Sequence, residues 1–312
     1  MSRTGKERIA QGKSAPAGPG LGELGMVLFY RVLARRLPAS WFRRVDPDRV
    51  VPSRHRGRLH LQIVSHCWRY DHFLTYQLSS LVIHQSTGID LTVTVYHSPE
   101  DDATCRVLEF FGKLEVPGIN WDWQPLPKEQ LFRRSIGRNL AAKNSNADWV
   151  WFTDADVVFG EGCLDTLAEL LQGRDDRLVF PEFTQATDLL REEDPILLEG
   201  RAGPALLDLP RSAFPNRLGP VDRAMGPYQI THGDVARACG YCESIRVYQK
   251  PAAHWQKAYE DSAFRWLLGA RGVPLDLPGV HQIRHLAKGR YRQGSLNARF
   301  RTFLRSRRNL FR

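Results

Sequence analysis

The stretch of sequence that decides the fold is WVWFTDAD, residues 149–156. Its first five residues, Trp149–Thr153, predict a strand that is covered on both faces, as in a parallel sheet. Asp154 and Asp156 follow at once, so both carboxylates are expected at the carboxyl edge of that sheet, where α/β proteins bind ligands. Two carboxylates spaced i, i+2 in a turn can share one hard divalent cation. The simpler interpretation is that one aspartate caps the next helix.

Strand and helix patterns alternate on both sides of this stretch. Before it, strands are predicted at residues 59–65 and 91–96, and helices at residues 73–83, 107–114 and 129–144. After it, Leu164, Leu167, Ala168 and Leu171 have the i, i+3, i+4, i+7 spacing of a helix that ends at Gly173. The alternation predicts an α/β domain built on a parallel sheet.

The charge is distributed unevenly along the chain. The net charge is +10, and residues 1–58 contain 13 Lys and Arg against 4 Asp and Glu. Residues 296–312 contain 6 Arg and no acid, which leaves −5 for residues 59–295. Two basic arms therefore flank a mildly acidic body, and they are expected to favour a polyanionic surface, either anionic lipid or nucleic acid.

Both arms have helical patterns. Residues 1–20 are predicted to be disordered and residues 22–37 to form a helix, with an apolar stripe of Met26, Phe29, Leu33 and Leu37. Residues 293–312 are predicted to form a second basic helix. Its basic face carries Arg301, Arg305, Arg308 and Arg312, and its apolar face carries Phe300, Phe303, Leu304 and Phe311. The arms predict peripheral binding at the cytoplasmic face of a membrane. The alternative is that both helices pack on the domain.

The composition excludes other classes of protein. Hydrophobic residues make up 42% and charged residues 25% of the chain, which is typical of a folded globular protein. No apolar stretch approaches the roughly 20 residues that a bilayer requires, and Met1–Gly20 lacks the apolar segment of a secretory signal. The five cysteines are an odd number without a dense pattern, so a reduced, cytoplasmic protein is expected.

Two enzyme families place a DxD motif directly after a strand. In phosphatases of the haloacid-dehalogenase type the motif follows the first strand, whereas here at least two strand–helix units precede it. In the order of its motifs, the chain resembles family 2 glycosyltransferases of the GT-A fold over about residues 59–292. The matching segments are LQIVSHCWRYDHFLTYQLSSLVIHQ, RRSIGRNLAAKNSNADWVWFTDADVVFGEGCLDTLAELL, ITHGDVARACGYCE and AYEDSAFRWLLGARG.

The resemblance implies a Rossmann-like nucleotide-diphospho-sugar transferase domain with specific roles for its residues. Asp154 and Asp156 would bind Mn²⁺ or Mg²⁺ and the diphosphate of the donor. Asp261 would be the catalytic base, with Glu260 beside it. The residues expected to bind the nucleotide sugar are Ser65, Arg134, Arg138, Asn139 and Asp154. His285 is the expected further metal ligand, with His281 as the second choice.

Arginine has the donor geometry for phosphate oxygens, and Arg134 and Arg138 are spaced i, i+4 before the DxD strand. A solvated helix face would show the same spacing. The predicted function is metal-dependent, inverting transfer of a sugar from a UDP- or GDP-linked donor to a hydroxyl. The alternatives are a DxD phosphatase, a non-catalytic GT-A scaffold and a basic binding protein. Nucleic acid is not expected as a partner, because the acidic body would repel phosphate.

Overall fold

The computed structural model describes residues 21–32, 34–255 and 259–286. The strands are β1 (Leu59–His66), β2 (Ile89–His97), β3 (Ile119–Pro125), β4 (Trp149–Phe152), β5 (Val157–Phe159), β6 (Leu178–Pro181), β7 (Thr184–Ala186), β8 (Asn216–Leu218), β9 (Gln229–His232), β10 (Val273–Leu275) and β11 (Val280–Gln282). The helices are α1 (Leu21–Val32), α2 (Asp71–Ile83), α3 (Asp102–Gly112), α4 (Lys128–Leu131), α5 (Arg134–Asn144), α6 (Cys163–Leu171), α7 (Pro195–Arg201), α8 (Gly233–Cys239) and α9 (Glu260–Leu268). The predicted disordered tail and the predicted C-terminal helix lie outside the described residues.

The main sheet has seven strands in the order β10-β6-β9-β4-β1-β2-β3. Strands β3, β2, β1 and β4 are parallel, whereas β9 runs antiparallel to both β4 and β6. A second sheet has the order β5-β11-β7-β8. The predicted α/β fold with a largely parallel sheet is confirmed, and the DxD aspartates follow its central strand β4.

Strand β4 separates two hydrophobic cores. Trp149 and Trp151 pack into the core that contains α2, α3 and α6, whereas Val150 and Phe152 pack into the core on the side of α5, α8 and α9. Successive side chains of a strand point to opposite faces, so a strand with a core on each face must be apolar throughout. This is the physical reason why WVWF has no polar alternation.

Between β1 and β4, two elements differ from the sequence prediction, and none of the strands β5 to β11 was predicted. The pattern of residues 129–144 predicts one helix, but the structure has α4 and α5, separated at Phe132 and Arg133. Arg133 has φ −105° and ψ 83°, which no α-helix accommodates. Strand β3 was not predicted. It is the edge strand of the sheet and is mostly half-exposed, so its sequence INWDWQP lacks the continuous apolar run of β1 or β4.

Helix α1 packs on the domain, although not through the whole predicted stripe. Val27 and Tyr30 contact the core beside α9, and the rings of Tyr30 and Tyr248 lie 5.9 Å apart. Met26, which belongs to the predicted apolar stripe, is 44% exposed. Leu33 lies outside the described residues. No helix in the described part of the chain is long and apolar enough to cross a bilayer.

Candidate active site

Asp154 and Asp156 lie in the turn between β4 and β5, at the carboxyl edge of the main sheet. The guanidinium of Arg134 forms a hydrogen-bonded ion pair with Asp154 Oδ1. Nη2 of Arg138 lies 3.5 Å from the same oxygen. Both arginines are on α5, one turn apart, so the i, i+4 spacing directs two cations at one carboxylate. Both arginines therefore lie at the DxD turn, and their binding of a nucleotide sugar stays a prediction.

Arg134 links the DxD turn to the start of α9. Its Nε lies 3.6 Å from Oε1 of Glu260, and its guanidinium carbon lies 5.3 Å from the ring centroid of Trp255. Burial disfavours the charge of Arg134, but Asp154 and Glu260 outweigh that effect and raise its pKa. Arg134 therefore stays cationic between two carboxylates, with its side chain 23% exposed.

Arg138 is fully buried and connects Asp154 to the opposite side of the site. It donates to the hydroxyl of Tyr241 at 2.9 Å and to the carbonyl of Thr153 at 3.3 Å. The Tyr241 hydroxyl donates to Gln229 Oε1 at 2.8 Å, and Gln229 Nε2 donates to the carbonyl of Asp261 at 3.2 Å. One continuous hydrogen-bond network therefore joins the DxD turn to the backbone of Asp261.

The two acids at the start of α9 have different surroundings. Glu260 is 6% exposed and accepts a hydrogen bond from Ser135 Oγ at 3.3 Å, in addition to its ion pair with Arg134. The side chain of Asp261 is 33% exposed, and its Oδ2 lies 3.5 Å from Nη1 of Arg265. Asp261 is thus the more accessible carboxylate, whereas Glu260 holds Arg134 in place.

Ser65 and Asn139 support the site from behind. Ser65 is buried and donates to Gln77 Oε1 at 2.6 Å, and Gln77 Nε2 in turn donates to the carbonyls of Asp154 and Val157, each at 2.9 Å. Asn139 Oδ1 accepts from the backbone N–H of Tyr241 at 2.9 Å. The side chains of both residues therefore bond to protein groups that position the site.

His66, the last residue of β1, was not predicted as a site residue. Its ring stacks on Tyr96 with centroids 5.1 Å apart, and within the described residues neither ring nitrogen has a hydrogen-bond partner. Burial, followed by Arg138 and Arg134, lowers the pKa of His66 well below the ordinary histidine value, so the ring is neutral. Its position at the carboxyl end of β1 is the signal that could have identified it.

The two candidate histidine ligands lie at opposite ends of the segment that contains β11. His285 is buried against Phe73, with a centroid distance of 4.3 Å, and it follows Ile283, whose N–H donates to the carbonyl of Asp156 at 2.9 Å. His281 instead contacts Gln185 Oε1 through Nε2 at 3.1 Å and stacks on Phe214 at 4.3 Å. Both histidines are two residues from Ile283, whose hydrogen bond to Asp156 brings this segment beside the DxD turn.

The donor chemistry of the DxD turn suits a hard divalent cation, because Asp154 and Asp156 both present carboxylate oxygens. The negative charge of Asp156 also affects Tyr228, because burial and then Asp156 raise the pKa of the Tyr228 hydroxyl. In the part of the chain that the structure describes, no three potential metal ligands converge. Arg134 occupies Asp154 Oδ1, so a cation would have to displace it from that oxygen.

Comparison with known proteins supports the motif-based interpretation. Residues 80–215, less than half of the chain, match the model of the family described as glycosyl transferase family 2. That segment contains Arg134, Arg138, Asn139, Asp154 and Asp156, whereas Ser65, Glu260, Asp261 and His285 lie outside it. No curated protein sequence matches the chain.

Several solved structures are similar to this chain at low sequence identity. A mannosyltransferase from Pyrobaculum calidifontis, PcManGT in complex with GDP-Man and Mn²⁺, is 15% identical with a TM-score of 0.42, covering 92% of this chain and 73% of that chain. TarS 1–349 from S. aureus in complex with UDP is 14% identical with a TM-score of 0.43, covering 72% and 60%. TarS 1–349 in complex with UDP-GlcNAc is 14% identical with a TM-score of 0.38, covering 76% and 60%. This chain spans less than two thirds of both TarS chains.

The matched segment contains the DxD turn, the two arginines of α5 and the central strand β4, and the topology around it is the expected α/β arrangement. Over residues 80–215 the chain is therefore similar to family 2 glycosyltransferases.

Proposed function

We propose that the protein transfers a sugar from a nucleoside-diphosphate donor to a hydroxyl acceptor, with inversion at the anomeric carbon. The observation that carries this proposal is the pairing of Asp154 with Arg134 and Arg138 at the carboxyl edge of the sheet. The donor is a UDP- or GDP-linked sugar. In the complexes above, PcManGT holds GDP-Man and TarS holds UDP or UDP-GlcNAc.

Different residues of the site act on the leaving group and on the acceptor. The bond from the anomeric carbon to the diphosphate oxygen breaks, and its electron pair leaves with the diphosphate. Arg134 and Arg138 supply cationic donors for that developing charge. The acceptor oxygen bonds to the opposite face of the anomeric carbon, and its proton passes to the carboxylate of Asp261. Of the two acids at the start of α9, Asp261 is chosen because Glu260 is buried in its pairing with Arg134.

The proposal includes a divalent cation, Mn²⁺ or Mg²⁺. Asp154 and Asp156 would hold it through carboxylate oxygens, with His285 as the further ligand. Bound there, the cation supplies positive charge beside the leaving diphosphate. Arg134 would exchange its contact with Asp154 for one with the diphosphate.

Nucleotide-sugar binding and transfer test the assignment of roles. A panel of UDP- and GDP-sugars is titrated with Mn²⁺ while the thermal unfolding of the full chain is followed. A ligand at 100 times its dissociation constant adds about 2.7 kcal/mol of stability. We expect Asp154→Asn and Asp156→Asn to abolish this stabilisation. We expect Asp261→Asn to retain it while transfer falls about 10²–10⁴-fold.

The matched control is Asp175→Asn. Asp175 forms a surface ion pair with Arg54 and lies outside the site, so this variant should bind the donor normally. Donor binding that is independent of Mn²⁺ and unaffected by both DxD variants would contradict the proposal. A phosphatase would instead release phosphate from a generic ester through a phosphoryl group trapped on Asp154.

The Arg134→Ala variant tests the binding of the divalent metal ion separately from activity. The variant removes the guanidinium from Asp154 Oδ1, so Mn²⁺ should bind more tightly in the absence of donor, as measured by electron paramagnetic resonance. Nucleoside diphosphate should bind more weakly. Unchanged or weaker Mn²⁺ binding would show that Asp154 is not a metal ligand.

We also propose that the protein binds peripherally to an anionic membrane surface through the outer side of α1 and the segment that follows it. Tyr30 faces the domain, whereas Leu28 is 57% and Val32 45% exposed. Trp41 is 70% exposed, and the side chain of Arg44 nearby is 72% exposed. An exposed tryptophan next to basic residues suits a lipid interface, where each basic residue adds about 1 kcal/mol near anionic lipid.

Vesicle co-sedimentation of the full chain tests this surface. Binding is expected to vesicles of phosphatidylcholine with phosphatidylglycerol, and to fall with added salt. Leu28→Asp and Trp41→Ala should each reduce it several-fold. Leu198→Asp is the matched control, because Leu198 is 52% exposed but lies on α7. Equal binding by all variants, or no binding at low salt, would overturn the proposal.

A further inference from the structure

A second concave site lies away from the DxD turn. It is a cavity of about 500 Å³ beside the four-stranded sheet, walled by Gln185 of β7, His281 of β11 and the segment 208–211. A volume of this size falls in the range of small-molecule sites. His281, the second choice for a metal ligand in the sequence analysis, lies in the wall of this cavity.

The lining combines an apolar floor with polar groups of both signs. Phe183, Leu277 and Val280 supply apolar surface. Carboxylates come from Glu161, Asp208 and Asp276, and guanidinium groups come from Arg211 and Arg217. The guanidinium of Arg217 lies 3.8 Å from the ring centroid of Phe183. The planar polar groups can each bond two neighbouring hydroxyls, while the apolar surface can contact the C–H face of a ring.

The balance of charge argues for an uncharged ligand. The lining contains three carboxylates and two guanidinium groups, so it lacks the single sign of charge that selects phosphate or a cation. Burial, and then Arg211 and His84, lower the pKa of His281 to about 4, so this histidine adds no charge near neutral pH. Anions and cations would each meet a group of their own sign.

The cavity is connected to the DxD turn by backbone. Strand β5 begins one residue after Asp156 and leads to Gly160, which lines the cavity. Beside it, β11 leads from His281 in the cavity to Ile283, which bonds to Asp156. Four residues of strand span about 13 Å. This distance is comparable to the length of two or three sugar rings.

We infer that this cavity binds an uncharged oligosaccharide, as the distal part of the acceptor whose terminal hydroxyl is glycosylated at the DxD edge. The role of this saccharide as the acceptor rests on the proposed function, whereas its binding in the cavity does not. The acceptor is thus a glycan of three or more units, held by its length as well as by its reacting end.

Binding of the labelled full chain to a microarray of neutral oligosaccharides, from one to six units long, tests the inference. We expect retention on one series of glycans that begins at three or four units, with no retention on its monosaccharide. Gln185→Ala should reduce that retention at least tenfold. Because Gln185 also bonds to His281, Arg211→Ala serves as a second variant: Arg211 is exposed, and its loss leaves no buried group unpaired.

Gln124→Ala, on the far edge strand β3, is the matched control and should bind as the parent chain does. Asp154→Asn should also keep the glycan, because it acts at the donor side. If the Asp154→Asn variant retains the glycan but the parent chain binds no nucleotide sugar, the proposed reaction is wrong and the saccharide site is still supported. The inference would be overturned if the parent chain retained no glycan. It would also be overturned if Gln185→Ala and Arg211→Ala both retained the glycan as well as the parent chain does.

Discussion

The DxD edge and the cavity beside the four-stranded sheet use similar residues in opposite ways. At the DxD edge, Arg138 is fully buried and shares Asp154 with Arg134. Around the cavity, Arg217 and Asp208 are exposed, and each contacts a different neighbour, Phe183 and His84 respectively. The first arrangement has guanidinium groups converging on one oxygen, whereas the second spreads charges of both signs around a void.

The difference shows how the same side chains can serve different ligands. Converging, desolvated cations are worth most to a leaving diphosphate, since their charges are weakly screened. Dispersed, hydrated groups instead provide many weak hydrogen bonds and little net field. The energetic cost of changing a residue should therefore be large in one region and small in the other.

The largest expected effect comes from removing a buried guanidinium. Arg138→Met leaves Asp154 with one cation fewer and takes the donor away from the Tyr241 hydroxyl. We expect a loss of about 3–5 kcal/mol in the free energy of unfolding, measured by urea denaturation. The matched change in the cavity, Arg217→Met, should cost about 1 kcal/mol or less. Similar losses of unfolding free energy for Arg138→Met and Arg217→Met would show that the two regions do not differ in this respect.

A smaller effect is expected from adding a methyl group in each region. A Cβ at Gly137 would lie under 3.0 Å from the buried ring of His66 and 2.9 Å from Tyr96 Cγ. Gly137→Ala should cost about 1–3 kcal/mol in thermal unfolding, as overpacking does. At Gly160 the nearest atom is His281 Cε1 at 2.7 Å, and that ring borders the cavity, so Gly160→Ala should cost less.

Gly25→Ala is the control for these substitutions, because a Cβ there meets nothing within 4 Å. It should leave stability unchanged or raise it slightly, since alanine favours a helix. A greater loss at Gly160 than at Gly137 would show that the cavity wall is the more rigid of the two.

The smallest effect is expected at the rim of the cavity. Asp208 lies 3.5 Å from His84, and its side chain is 55% exposed. Asp208→Asn should change the free energy of unfolding by less than about 0.5 kcal/mol, because exposed ion pairs contribute little. Glycan retention on the microarray should nevertheless fall. A marked loss of stability would show that this carboxylate belongs to the scaffold.

Three of the seven strands of the main sheet were predicted, and none of the four strands of the second sheet. Strands β1, β2 and β4 are buried, so their apolar composition identifies them without knowledge of their neighbours. By contrast, β7 and β8 are three-residue segments, TQA and NRL, whose strand geometry comes from pairing with each other and with β11. Nothing local in such sequences predicts a strand, because long-range pairing decides it.

The candidate site shows the same division. The i, i+4 spacing of Arg134 and Arg138 placed both on one face of a helix, and the structure directs that face at Asp154. The partners of Ser65 and Asn139 could not be predicted, because Gln77 and Tyr241 come from other parts of the chain. The accessibility of Asp261 relative to Glu260 likewise depends on Arg134 and Ser135, which pack against the start of α9.

Gln77 determines how the DxD turn can move. Its side chain bonds to the carbonyls on both sides of the turn and to Ser65 behind it, so the backbone of the turn is tied to helix α2. Asp154 can then leave Arg134 by rotation of its side chain alone, without displacement of the loop. Exchange of partners at the donor edge should accordingly be limited by breaking the ion pair of Asp154 with Arg134 and not by closure of a loop.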